Sequence, residues 1–170
     1  MSRIISFSGT HGTGKSTAAY RMAVDLKYLQ PKKSVHVLCD QEAFCPYPIN
    51  KETTEVAQQW LFGNQIKQEL TALERFDIVI TDRTIIDVIA YTWVAGFHDL
   101  AQGMLAYAER HMPYYHEIYF NKIANNQHCH PDGIREATDM KFRQDVEDAM
   151  LSFHQGLLNP SVFPGRVFYV

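Results

Sequence analysis

Apolar positions follow two rhythms along the chain. Short dense runs fall at residues 4–8, 34–39, 77–81, 115–120 and 166–170, and these predict five β-strands. The third, built on Ile78, Val79 and Ile80, is apolar throughout its middle, as in a strand covered on both faces of a parallel sheet. Between the runs the spacing lengthens to a helical one. Ala19, Met22, Ala23, Leu26 and Leu29 predict a helix that Pro31-Lys32-Lys33-Ser34 ends. Val56, Trp60, Ile66, Leu70 and Leu73 give an apolar face to a long helix over 52–75, with Gly63 as a candidate break. Further helices are predicted over 85–95, closed by Gly96, over 100–111, ahead of Pro113, and over 138–158. Pro46 and Pro48 keep residues 45–50 out of regular structure, and 121–133 is polar. Strands alternating with helices imply a three-layer α/β fold around a central five-stranded parallel sheet, with ligands at the carboxyl ends of the strands.

At 170 residues the chain is expected to form one domain over 1–170, with 46% hydrophobic and 21% charged residues, as in ordinary soluble proteins. No run is long enough to span a membrane, and the short apolar N-terminus does not suit a secretory signal. Three cysteines without a framework spacing point to reduced thiols in the cytoplasm. A net charge of −3 gives no general attraction to polyanions, which lowers the expectation of a nucleic-acid partner.

The first strand runs directly into Gly9-Thr10-His11-Gly12-Thr13-Gly14-Lys15-Ser16, and Thr17 opens the first helix. This is the full phosphate-loop pattern in the strand–loop–helix setting it requires. Glycines allow successive N–H groups to converge, and the helix N-terminus adds its own. Lys15 then reaches β- and γ-phosphates and Ser16 can ligate Mg²⁺, so a bound nucleoside triphosphate is expected. Asp82, at the end of the third strand, is placed to hold Mg²⁺ through water, the alternative being a helix N-cap. Arg83 suits an acceptor group, or else an ion pair with Asp87. Asp40 and Glu42, after the second strand, are both candidates for the base that takes a proton from an acceptor hydroxyl. Arg135 and Arg143 flank a segment with lid character and suit a transferring phosphoryl group, or else pair with Asp139, Asp145 or Glu147. Gln59, Trp60 and Tyr91 are candidates for an aromatic and polar acceptor wall. His128-Cys129-His130 has no second ligand pair at a metal-site spacing and is read as loop.

Together, Gly9 to Thr17, Glu42, Asp82-Arg83-Thr84, Asp132-Gly133-Ile134-Arg135 and Phe142-Arg143 resemble the P-loop nucleoside and nucleotide kinases. More narrowly they resemble small AAA-like kinases related to the nicotinamide-riboside kinase domain of NadR. The resemblance implies a P-loop NTPase fold with a helical lid at about 121–143, ATP and Mg²⁺ as cofactors, and transfer to a nucleoside or nucleoside monophosphate. It also implies that Glu42 handles the acceptor hydroxyl, that Arg83 contacts the acceptor and that Arg135 contacts phosphate. Related sequences carry a basic residue where Phe44 stands, which tilts the expectation toward a neutral acceptor. A hydroxyl on DNA or RNA, at a strand end or on a hydroxymethylated base, is the alternative substrate, and a regulatory ATPase the alternative function. A GTPase is excluded, because neither Asn50-Lys51-Glu52-Thr53 nor Asn121-Lys122-Ile123-Ala124 ends in the required Asp. The expected partner is a small molecule and not a membrane, with a homodimer left open.

Overall fold

A computed structural model describes residues 2–123, 139–158 and 161–170. The strands are β1 Arg3–Ser8, β2 Val35–Leu38, β3 Ile78–Thr81, β4 Tyr115–Phe120 and β5 Arg166–Tyr169. The helices are α1 Lys15–Leu29, α2 Glu55–Leu73, α3 Ile85–Val94, α4 His98–His111 and α5 Met140–Leu157. All five strands are parallel, in the order β2-β3-β1-β4-β5. The expected α/β fold with a five-stranded parallel sheet is therefore present. The helical lid, Arg135 and His128-Cys129-His130 fall wholly or largely outside the described residues.

Alternation along the strands divides the core into two faces. Ile5, Phe7, Ile78 and Ile80 meet Ala19 and Ala23 of α1, with Cys39 beside them. Ile4, Leu38, Val79 and Ile118 point the other way, into a larger cluster with Ala72 of α2, Ile85, Ile86 and Ile89 of α3, and Met104 and Ala108 of α4. A shift in register between Ile4 and Ile5 inserts His116 as an unpaired residue in β4. That bulge lets Tyr115 and Ile118, three residues apart, both join the larger cluster.

Parallel strands bring their carboxyl ends to one rim, and β1 lies at the centre with β3 and β4 on either side. The connection after β1 turns into α1 on one face, whereas α2 and α3 lie on the other, so a crevice opens where the loops diverge. Helix α2 runs unbroken through Gly63, contrary to the expected interruption; its glycine meets no neighbour that a kink would have to avoid. The Thr54 hydroxyl caps its N-terminus by accepting from the Ala57 N–H.

His154 of α5 is buried against Phe120, ring centroids 5.0 Å apart, and neither ring nitrogen has a hydrogen-bond partner among the described residues. Burial pulls its pKa down to about 4. The unfolded chain takes up this proton near the usual histidine value, while the folded chain resists until about pH 4. Acid therefore favours unfolding across that window. Urea unfolding should show a loss of about 2 kcal/mol between about pH 7 and about pH 5, and His154→Leu should remove most of that slope.

Candidate functional site

The loop between β1 and α1 bends through left-handed backbone angles. Gly14, at φ 77°, forms the N-cap of α1. Gly9 has φ 136°, and a Cβ there would lie 2.5 Å from the Asn121 carbonyl oxygen. Only glycine fits so close to another backbone. Asn121, just past β4, braces the loop from behind: its N–H donates to Ser8 O (2.8 Å) and its side-chain amide to Thr13 O (3.1 Å). The Lys15 ammonium folds over the loop and donates to Thr10 O at 2.7 Å.

Three oxygen donors gather at the first turn of α1. The Ser16 hydroxyl donates to Asp82 Oδ2 at 2.5 Å and lies 3.4 Å from Asp40 Oδ1. The Asp40 N–H also points at Asp82 Oδ2, 3.3 Å away. Asp40 has φ 55°, the one positive value at a non-glycine residue among those described. An aspartate tolerates it, and the turn reverses the chain into a short 3₁₀ helix, Gln41–Phe44. The thiol of Cys39, packed below, is held protonated by burial and then by Asp82 and Asp40. Hard oxygens from two carboxylates and a hydroxyl suit Mg²⁺, which keeps its remaining positions for phosphate and water.

The 3₁₀ turn sends Glu42 away from this cluster into an adjoining cleft. Glu42 Oε1 lies 3.4 Å from Arg83 Nη2, and both side chains are largely buried. His11, Ile49, Gln58, Leu61 and Tyr91 complete the cleft, whose enclosed volume is about 30 Å³. The Tyr91 ring lies under the Arg83 guanidinium at 5.8 Å. Its hydroxyl accepts from the His11 N–H at 2.9 Å and lies 2.8 Å from His11 Nδ1. The phosphate loop and the cleft therefore share a wall. Two expectations for that wall need correction. Gln59 is exposed, and neither it nor Trp60 lines the cleft; Gln58 and Leu61 do. Gln58 is held at both ends, by Thr53 Oγ1 at 2.8 Å and Thr92 Oγ1 at 3.1 Å.

Arg143, near the start of α5, is 1% exposed, and its Nε donates to His11 O at 3.1 Å. Its Nη2 has no partner among the described residues. The surface pairings considered for it are taken up elsewhere: Asp145 meets Lys141, Asp139 meets Lys51, and Glu147 accepts from the Ile123 N–H. A buried guanidinium on the loop backbone, with donors still to satisfy, suits an anion.

The helix cap expected as an alternative role for Asp82 belongs to Thr84, in a capping box with Asp87. Asp87 does more than close that box. One of its oxygens accepts from Ser8 Oγ at 2.7 Å and from the Gly9 N–H at 3.1 Å; the other accepts from the Thr84 N–H at 2.5 Å. Burial raises the Asp87 pKa, against the opposing pull of Lys15 and these donors. It is thus occupied with the loop, and the partner of Arg83 is Glu42.

A family model described as AAA domain matches residues 4–162. No curated protein matches the chain by sequence. Among solved structures, thymidylate kinase from Candida albicans is 18% identical, with a TM-score of 0.68, over 99% of this chain and 84% of that one. Thymidylate kinase from Ehrlichia chaffeensis is 18% identical, with a TM-score of 0.66, over 99% and 86%. Deoxyadenosine kinase from M. mycoides is 15% identical, with a TM-score of 0.63, over 98% and 88%. At such identities the likeness establishes the fold, which is the P-loop kinase fold.

Replacing Asp87 by Asn keeps the shape but turns an N–H₂ group toward the Thr84 N–H and hydroxyl. The buried Thr84 N–H then faces a donor, while its hydroxyl can turn to accept, and Asp87→Asn should lower unfolding free energy by about 1–3 kcal/mol in urea titrations.

Proposed function

The chain belongs to the AAA domain family, and we propose that it is a kinase moving the γ-phosphoryl group of ATP, with Mg²⁺, to a nucleoside or nucleoside monophosphate. One observation carries this reading. The oxygen cluster of Ser16, Asp82 and Asp40 adjoins a cleft in which Glu42 and Arg83 face each other, with His11 and Tyr91 between the two. A phosphate-binding half and an acceptor half in contact suit in-line transfer. Similarity to thymidylate and deoxyadenosine kinases supports a nucleoside-like acceptor.

In this reading the backbone of Gly9 through Thr17 cradles the phosphates and Lys15 leaves Thr10 O for the γ-phosphoryl oxygens. Arg143 reinforces the loop from below and offers its Nη2, and Arg135, outside the described residues, would join Lys15 in neutralising the γ-phosphoryl group. Mg²⁺, held by Ser16 and Asp82 with Asp40 beside them, would neutralise phosphate charge. Glu42, rather than Asp40, is the base, because it lines the cleft whereas Asp40 faces Ser16. The acceptor oxygen bonds to the γ-phosphorus as the bond from that phosphorus to the β–γ bridging oxygen breaks. From a nucleoside hydroxyl the proton passes to Glu42, whereas the phosphate oxygen of a monophosphate needs no base; in either case the bridging oxygen leaves on ADP with the electron pair. Arg83 orients Glu42 and the acceptor, and Tyr91 and Gln58 form the wall.

Transfer from γ-labelled ATP to a panel of nucleosides, their monophosphates, nicotinamide riboside and oligonucleotides tests this. Label should reach a small acceptor. Lys15→Ala should lower kcat by about 100-fold or more, and Glu42→Gln by about 100- to 10,000-fold with the KM for ATP little changed. Hydrolysis without transfer to any acceptor would retire the kinase reading in favour of an ATPase.

A further inference from the structure

We propose that Gln65 is a positioning residue for the Asp82-Arg83-Thr84 turn, directed by Glu69 behind it, and that the pair acts on the metal-binding oxygens without touching either substrate. The proposal rests on the reading that Asp82 holds the metal.

The turn that carries both Asp82 and Arg83 is held from its inner side by a buried polar network that the phosphoryl chemistry does not use. Gln65 and Glu69 lie one turn apart on α2, Glu69 at 0% exposure. The Gln65 amide nitrogen meets Glu69 Oε1 at 2.6 Å, Thr81 Oγ1 at 3.1 Å and the Arg83 carbonyl oxygen at 3.1 Å. Thr81 Oγ1 also donates to Arg83 O, at 3.0 Å. Glu69 accepts in addition from the Tyr115 hydroxyl at 2.9 Å, and its Oε2 lies 2.7 Å from His111 Nε2. The Tyr115 oxygen in turn accepts from the Ile85 N–H at 3.1 Å. The residues on both sides of Asp82 and Arg83 are thereby fastened to one carboxylate.

A carboxylate only accepts, and that gives the network a direction. Facing Glu69, the Gln65 amide must present its N–H₂, so the same nitrogen faces Arg83 O rather than the amide oxygen. Facing Glu69, the Tyr115 hydroxyl must give its proton, so its lone pair is left for the Ile85 N–H. Gln65 and Tyr115 are thus held in one polarity from both ends, by Glu69 behind them and by the Arg83 carbonyl and Ile85 N–H in front. A buried carboxylate is costly, and apolar residues of similar volume often pack as stably. Orientation of the turn is what a hydrophobic replacement would not supply.

The test measures Mn²⁺ affinity by electron paramagnetic resonance in the complex with β,γ-imido-ATP, the affinity of that analogue without metal, and the thermal midpoint. Gln65→Met keeps length and volume but removes the donors, and Glu69→Gln removes the direction. Both should weaken Mn²⁺ binding, Gln65→Met by about 10-fold or more, while metal-free analogue binding stays within about twofold of wild type. A lower midpoint with unchanged Mn²⁺ affinity would assign the network to stability alone and overturn the proposal. Should Gln65→Met fail to fold, Thr81→Val, which removes the hydroxyl between Gln65 and Arg83 O, carries the same expectation. Asp82→Asn runs alongside. If it leaves Mn²⁺ affinity unchanged, the metal reading falls and takes the proposal with it. If it weakens Mn²⁺ and Gln65→Met does not, the proposal falls alone.

Discussion

A single buried carboxylate ties the two halves of the site together. Apart from Arg135 and Arg143, every candidate residue hangs either from the loop after β1 or from the segments that follow β2 and β3, and Asp87 is bonded to both the loop and the turn after β3. One oxygen closes the end of β1, and the other closes the start of α3. Donors on four groups compensate for removing the charge from water, which is the condition under which a buried carboxylate is tolerated. The approach of the loop after β1 to the turn after β3 is therefore built into the scaffold.

The fold was legible because each strand carries its own signal. The run at 115–120 coincides with β4, and the fully apolar middle of 77–81 correctly marks a strand with both faces covered. The phosphate loop was legible for the same reason, being local. What a local pattern does not carry is rotation about a helix axis relative to the sheet. Neighbouring helical residues point about 100° apart, so Gln58 and Gln59 differ completely in what they face. Nothing in the sequence of α2 tells which of them looks toward the strand ends. Asp87 was half legible: Thr84 and Asp87 have capping-box spacing, but the bond to Ser8 spans 79 residues. Arg143 stands among acidic neighbours, yet it shares the buried stripe with Val146, Met150 and Leu157, at helical spacing from them.

Asp40 and Glu42 show how one backbone angle separates two tasks. Both follow β2, and from the sequence either suits the role of base. The left-handed conformation at Asp40 turns its own carboxylate toward Ser16 and starts the 3₁₀ turn that carries Glu42 into the cleft. Such backbone conformations persist where the surroundings over-determine them, and here the Asp40 N–H is held by Asp82. The acid beside Ser16 and the acid in the cleft are thus kept from sharing one place, where their like charges would raise each other's proton affinity.

The pairing of Glu42 with Arg83 has a consequence for how anything enters the cleft. The two side chains already serve as each other's counter-ion, so the cavity is an internal zwitterion close to neutral overall. If the cleft takes the acceptor as proposed, an arriving hydroxyl exchanges places with an existing contact, and the net gain of such an exchange is small. Under the proposed function, grip on the resting acceptor is accordingly weak. The same two charges act at full strength only as the hydroxyl begins to lose its proton and the balance between them shifts. A site of this kind discriminates among guests by how fast they react rather than by how long they stay.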